Sequence, residues 1–201
     1  MDHQSWVGKQ LRAGIRWIDS LIRKSEHSYE YCDDPDCVLR IQLMPSPHAA
    51  TFGDKVIQKG DPVLAVHVWN ERMPPIPSSG ADLRWAINIR RQTQHSFRLL
   101  AKLMQEDRIY TPVKAIYGAS VLFSSTDHTG GTRMMQSFGF TILPYHSPLG
   151  KFGEFWENLF SWWLMYAYNT ASMDSRKFWQ LERTEIWMDS DEFIRRYGKD
   201  A

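Results

Sequence analysis

The longest helical pattern of the chain lies between two strand patterns, and this alternation constrains the fold most. A helix is predicted over Ala81–Asp107, between an alternating strand at Val63–Trp69 and a strand rich in β-formers at Val113–Phe123. The alternation predicts one α/β or α+β domain in which a mixed sheet is flanked by helices. The predicted buried stripe of the long helix comprises Ala86, Ile89, Thr93, Phe97, Leu100 and Met104.

The remaining patterns supply further helices and strands. We expect residues 1–36 to form an N-terminal helix and loop, and residues 37–201 to form the α/β core. Ser79 or Asp82 is expected to cap the long helix. The other predicted helices are Trp6–Lys24, Gly130–Ser137, Phe152–Tyr168 and Asp189–Tyr197, and the other predicted strands are Cys37–Met44, Thr51–Ile57, Phe138–Tyr145 and Arg176–Trp187.

The composition excludes several classes of function. With 24 Lys and Arg against 23 Asp and Glu, the net charge is +1, so no nucleic-acid partner is expected. The sequence has no run of 18 apolar residues and no signal-peptide pattern, which predicts a cytoplasmic protein without a membrane span. The two cysteines, Cys32 and Cys37, lack the second half of a zinc site, so reduced thiols and no metal site are expected.

A dense polar cluster follows the strand Val63–Trp69 and precedes a proline-rich loop. His67 and Glu71 are candidates for acid–base chemistry, because a histidine titrates near neutral pH and a carboxylate can orient it. Asn70 and Arg72 are candidates for binding a ligand, in particular a carboxylate or phosphate group. The alternative is that these side chains only anchor the loop Pro74–Pro77.

Two further features predict an anionic ligand. Arg84 begins a line of cations along one side of the long helix, whose alternative interpretation is a solvated face. His128 lies in SSTDHTGGT before a short helix, where backbone N–H groups can receive an anion, although a merely structural turn is the alternative.

The segment Phe152–Tyr168 is unusually aromatic. Its composition permits contact with a membrane surface or a partner, but Glu154 and Glu157 oppose anionic lipid. A buried core helix or a contact between two copies is favoured instead. Peripheral membrane contact and a homo-oligomer therefore both stay open.

Four segments together resemble the YkoP-like domain, which occurs at the C-terminus of some bacterial polysaccharide deacetylases and as a freestanding protein. They are VHVWNERMPPIP, ADLRWAINIRRQTQHSFRLLAKLM, VKAIYGASVLF and GFTILPY. The resemblance implies an accessory or ligand-binding protein without a cofactor, linked to envelope polysaccharide or lipid metabolism. It implies no deacetylase activity, because that chemistry belongs to a separate metal-binding domain.

The order of these segments is also loosely similar to that of GNAT acyltransferases. This similarity implies an enzyme that uses acyl-CoA, with His67 or Glu71 as the base and Tyr117 or Tyr145 as the acid. The loop RMPPIPSSGADL contains Arg72 and Gly80 but departs from the Q/R-x-x-G-x-G/A spacing of that family. The sequence thus leaves open whether the protein is an enzyme.

Overall fold

A computed structural model of the protein describes residues 28–77, 82–120, 130–145, 150–168 and 183–198, together with Gly14. The predicted helix Trp6–Lys24 lies outside these ranges apart from Gly14, which is helical. The candidate His128 also lies outside the described residues.

Five strands form the predicted mixed sheet. In chain order they are β1 (Leu39–Pro45), β4 (Pro62–Val68), β5 (Ala115–Ser120), β6 (Thr141–Pro144) and β7 (Thr184–Asp189). Their order across the sheet is β1-β4-β5-β7-β6. The central pair, β4 and β5, is parallel, and the other three pairs are antiparallel. The prediction of a single α+β domain with a mixed sheet is therefore confirmed.

The prediction of one strand over Thr51–Ile57 is wrong, because the segment folds back on itself. It forms a hairpin of β2 (Ala50–Phe52) and β3 (Lys55–Ile57). Gly53, in the connecting turn, has φ +55°, a conformation that glycine adopts without steric cost. The Gly-Asp pair between two short apolar runs is a hairpin signal in the sequence.

Two predicted strand bounds also differ from the structure. The first strand begins at Leu39 rather than Cys37. The strand predicted to start at Phe138 is wrong at its beginning, since Phe138 and Gly139 form the turn after a helix and Gly139 has φ +96°. Positions 121–123 and 176–182 of other predicted strands lie outside the described residues.

Four helices are described: α1 (Leu83–Glu106), α2 (Gly130–Ser137), α3 (Gly150–Tyr168) and α4 (Ser190–Tyr197). The carboxylate of Asp82 accepts a hydrogen bond from the Trp85 backbone N–H, which confirms this residue as the N-cap of α1. The other proposed cap, Ser79, lies outside the described residues.

The predicted stripe of α1 is buried from Ile89 to Met104, but the prediction for Ala86 is wrong, since Ala86 is exposed. The inward position of the first turn is taken instead by Trp85, four residues before Ile89. Its indole N–H donates to the Pro74 carbonyl oxygen at 3.0 Å. That bond fastens the proline loop to α1.

The two faces of the sheet differ in character. On the first face, α1 and α4 pack over an apolar core in which the Phe97 ring contacts the rings of Phe138, Phe193 and Tyr197. On the second face, the β2–β3 hairpin covers one half, where Phe52 stacks on Trp187 with ring centroids 5.8 Å apart. The other half of the second face carries polar side chains.

Candidate functional site

The polar half of the second sheet face lies towards the end of the sheet where β4 and β5 finish. Because these strands are parallel, their carboxyl ends share one edge, which is where ligands commonly bind in sheets of this kind. Strand register places Arg40 of β1 beside His67 of β4, and Ala119 of β5 beside Glu185 of β7. We call the set Arg40, Gln42, His67, Tyr117 and Glu185 the polar face.

Glu185 is the buried centre of one side of the polar face. Its side chain is fully buried, and its carboxylate accepts hydrogen bonds from His48 Nε2 at 2.8 Å and from Trp187 Nε1 at 2.8 Å. The Tyr117 hydroxyl donates to the same carboxylate at 3.5 Å. Three donors from different parts of the chain therefore converge on one buried carboxylate.

His48 has an oxygen partner at each ring nitrogen. Its Nε2 faces the Glu185 carboxylate, and its Nδ1 faces the Ala49 carbonyl oxygen at 2.9 Å. Two acceptor oxygens favour the form of the ring in which both nitrogens carry a proton. Burial by itself lowers the pKa of His48, but these hydrogen bonds and the charge of Glu185 outweigh it and raise the pKa. His48 and Glu185 therefore form an ion pair.

Tyr117 and Tyr145, the two acid candidates, lie close to this ion pair. Burial, followed by the charges of Glu185 and Tyr145, raises the pKa of the Tyr117 hydroxyl, so it is protonated and donates at physiological pH. The Arg183 guanidinium lies over the Tyr145 ring, 5.4 Å from its centroid. The pairing of β5, β7 and β6 brings the two tyrosines together, although they are distant in the sequence.

His67 occupies the other side of the polar face and differs electrostatically from His48. Its Nε2–H donates to the Gln42 side-chain oxygen at 3.1 Å. Burial lowers the pKa of His67, which keeps the ring neutral near pH 7. Within the part of the chain that the structure describes, Nδ1 has no hydrogen-bond partner, so it is an available acceptor.

The other members of the predicted cluster lie in the turn after β4 and have structural contacts. Arg72 stacks on Trp69, 3.6 Å from the ring centroid, and donates to the Asp34 carbonyl oxygen at 2.5 Å. Glu71 lies 3.6 Å from Arg40 Nη1. Asn70 is half-buried in the same turn. Arg72 is thus anchored by Trp69 and Asp34, and Glu71 lies beside Arg40.

Arg84 lies apart from the polar face. It is exposed in the first turn of α1, and α1 packs its buried stripe against the opposite face of the sheet. Arg91, Arg98 and Lys102 are exposed on the same helix. Binding of an anion by these side chains would thus use a different surface from the polar face.

The aromatic helix α3 exposes several of its large side chains. Phe152 is 69% exposed, and Phe155, Trp156 and Trp163 are 40–50% exposed. The interpretation as a buried core helix is wrong for these four residues, because they do not face a packed interior. Contact between two copies and contact with a membrane surface both stay predictions. None of the described helices is long and apolar enough to cross a bilayer.

A cavity of about 350 Å³ lies beside the hairpin, on the other side of Trp187 from the polar residues. It is lined by Asp54, Lys55, Asp189 and Glu192, among others, and Lys55 Nζ lies 2.6 Å from Asp189 Oδ1. None of the candidates predicted from the sequence lines this cavity. Within the described residues, no three histidine, cysteine or acidic side chains are grouped to hold a metal ion.

The two cysteines lie next to each other in the structure as free thiols, Cys37 being buried. Burial, and then the hydrogen bond with Cys37, raise the pKa of the Cys32 thiol to about 12. Such a thiol is almost entirely protonated near neutral pH and is a poor nucleophile. These cysteines are therefore not a promising catalytic pair.

Sequence reasoning missed three members of the site: Glu185, Arg40 and Gln42. Glu185 lies in the apolar strand TEIWMD, where an acidic residue is rarely buried without partners. An acidic residue within an apolar strand was therefore the sequence signal that pointed to Glu185 as a candidate site residue. Arg40 and Gln42 alternate with apolar residues in β1, a pattern that equally suits a solvent-facing edge strand.

Comparison with known protein families identifies a match that covers most of the chain. The model of the YkoP domain matches residues 27–197, which include all strands of the sheet and the whole polar face. No curated protein and no solved structure matches the chain significantly.

Proposed function

The chain belongs to the YkoP domain family, and from this premise and the geometry of the polar face we propose that it is a binding protein for a small molecule rich in hydroxyl groups. The observation that carries the proposal is the state of His67. A neutral imidazole with an available acceptor nitrogen, fixed in orientation by Gln42, lies near the carboxyl ends of β4 and β5.

The arrangement around His67 matches what a hydroxyl group requires. A hydroxyl donates one hydrogen bond and accepts others, so it suits the acceptor Nδ1 together with nearby donors. The guanidinium of Arg40 is the nearest cationic donor in the strand register. Ala119 of β5 lies beside Glu185 in the strand register, and its side chain is small.

A saccharide fragment of the cell envelope is the ligand class that we propose. Its support is the hydroxyl chemistry of the site together with the resemblance to domains found beside polysaccharide deacetylases. Binding without chemistry is sufficient for this role, so no catalytic step is proposed.

Calorimetric titration with short oligomers of glucose and N-acetylglucosamine tests the proposal. We expect the unmodified protein to bind one of these classes and His67→Ala to lose at least about tenfold in affinity, the cost of one well-placed hydrogen bond. The matched control is His95→Ala on α1, whose histidine pairs with Asp34 away from the polar face. Absence of binding, or equal binding by His67→Ala, would overturn the proposal.

A second candidate, acyl-CoA binding, is favoured by one feature of the central strands. Register pairs between β4 and β5 run only from Val63–Ala115 to Ala65–Tyr117, although both strands continue for three residues. An extended chain such as the pantetheine arm can add hydrogen bonds to strand edges that are left unpaired in this way. A thermal shift with acetyl-CoA tests this candidate, and an unchanged melting temperature at millimolar ligand would reject it.

A further inference from the structure

The exposed face of α1 has an unusual charge pattern. From Leu83 to Gln105 the helix contains no acidic residue, while its exposed positions include five cations. Four of them, Arg84, Arg91, Arg98 and Lys102, follow one side of the helix. The fifth, Arg90, donates to the Ser137 hydroxyl at 2.6 Å and lies over the Phe138 ring. The net charge of the whole chain is only +1, so this helix concentrates positive charge on one surface.

Helix stability does not account for the pattern. An α-helix favours acidic side chains in its first turn and basic ones in its last, because of its macrodipole. α1 has no acidic residue in the first turn and no basic residue in the last, and Arg84 stands at the unfavourable end. Arg84 is thus placed against the helix dipole, whereas Lys102 lies 3.8 Å from Glu106 in the last turn.

Apolar side chains lie next to these cations in full contact with solvent. Leu83 is 76% exposed and Ile87 is 58% exposed. They are four residues apart, so they project from one side of the first turns, beside Arg84 and Arg91. α1 therefore has apolar side chains on two sides: the stripe around Phe97 and Leu100 packs on the sheet, and Leu83 and Ile87 are exposed.

We propose that the exposed face of α1 binds the surface of a lipid bilayer that carries anionic headgroups. The arginines neutralise the headgroups, while Leu83 and Ile87 enter the boundary with the acyl chains, as in helices that lie in the plane of a membrane. The pairing of cations with exposed aliphatic side chains selects a bilayer over a nucleic acid, whose recognition relies on phosphate contacts and aromatic stacking.

Cosedimentation with vesicles tests the proposal on the whole chain. The probes are vesicles of phosphatidylcholine alone and of equal parts phosphatidylcholine and phosphatidylglycerol. We expect binding only to the second kind, weakened by high salt. The double substitution Arg84→Gln with Arg98→Gln should lower the partition coefficient about 30-fold, since each cation near an anionic bilayer contributes about 1 kcal/mol.

Two further variants make the outcome decisive. Lys59→Gln with Arg133→Gln removes the same charge from exposed positions outside α1 and should bind as the unmodified protein does. Leu83→Ser with Ile87→Ser keeps every cation, and we expect weaker vesicle binding because the aliphatic contact with the acyl-chain boundary is lost. Equal losses in both charge variants, or unchanged vesicle binding without the two aliphatic side chains, would overturn the proposal. Circular dichroism establishes that each variant is folded.

Discussion

His48 and Glu185 are joined by a 2.8 Å contact between Nε2 and a carboxylate oxygen, although 137 positions separate them in the chain. The ion pair connects the loop before β2 to the last strand of the sheet. The edge of the His48 ring also meets Trp187, with centroids 5.9 Å apart. This contact fixes the hairpin over one half of the second sheet face and leaves the polar half beside it.

Glu185→Gln should destabilise the fold. The amide retains the shape of the side chain, but one of the two carboxylate oxygens that accept from His48 and Trp187 becomes an NH₂ group. Hydrogen bonds to a charged group contribute about 1.5–3 kcal/mol each to stability. We expect the free energy of unfolding to fall by about 2 kcal/mol in urea titrations. Glu106→Gln, at an exposed position on α1, is the control and should change it by less than about 0.5 kcal/mol. An unchanged midpoint in Glu185→Gln would contradict the network described.

The two histidines of the site should make stability depend on pH in opposite directions. The raised pKa of His48 gives stability that is complete below 6.5, its ordinary value, and is lost as pH rises through the folded-state pKa. The lowered pKa of His67 gives stability that is present above 6.5 and is lost as pH falls towards the folded-state pKa.

Unfolding free energies measured across this pH range separate the two effects. His48→Gln should remove the decline on the alkaline side, and His67→Gln should remove the decline on the acidic side. Identical pH profiles for the two variants would show that the assignment of charged and neutral histidines is incorrect.

Gly139→Ala should be more harmful than Gly60→Ala, although both glycines have similar positive φ angles of +96° and +90°. A Cβ at Gly60 meets open space, whereas a Cβ at Gly139 collides with the guanidinium of Arg196. We expect the backbone strain common to both to cost about 1–2 kcal/mol. The additional loss at Gly139 should disappear when Arg196 is also changed to Ala, as thermal denaturation of the double variant can establish.

Arg72→Ala should weaken the fold, because Arg72 stacks on Trp69 and donates to the Asp34 carbonyl oxygen. The combined loss is about 1–2 kcal/mol in the free energy of unfolding. Arg72→Lys should not restore the lost stability, because an ammonium group is not planar and cannot stack on Trp69 while donating to the Asp34 carbonyl oxygen. A matched change at the exposed Arg84 should leave stability unaltered, and equal effects at the two positions would argue against an anchoring role.

Local patterns were sufficient to predict most of the elements. Alternation in Val63–Trp69 identified β4 and its two faces, and the periodic stripe from Ile89 to Met104 identified the buried side of α1. Both signals depend on neighbours within a few residues. The hairpin could also have been predicted from its Gly-Asp pair, but β-rich composition alone does not distinguish a straight strand from one that turns.

The site was predictable only in part, because its residues meet through strand pairing. His67 and Tyr117 stood out as titratable side chains near strand ends. Their relation to Arg40 and Glu185 depends on the order β1-β4-β5-β7, which no local pattern encodes. His48 had no distinguishing neighbour in the sequence. Its raised pKa depends on hydrogen bonds to the Ala49 carbonyl oxygen and to the distant Glu185 carboxylate.

The imidazole nitrogen NMR spectrum, recorded during a saccharide titration, shows whether the neutral ring of His67 accepts a hydrogen bond from a saccharide hydroxyl. The proposed binding role predicts that His67 shows a neutral ring protonated at Nε2, and that its Nδ1 resonance moves as the ligand donates a hydrogen bond. His48 should show both nitrogens protonated and should not respond. A His67 ring that is protonated at Nδ1, or an Nδ1 resonance that does not move while saccharide binds, would contradict the proposed binding role of His67.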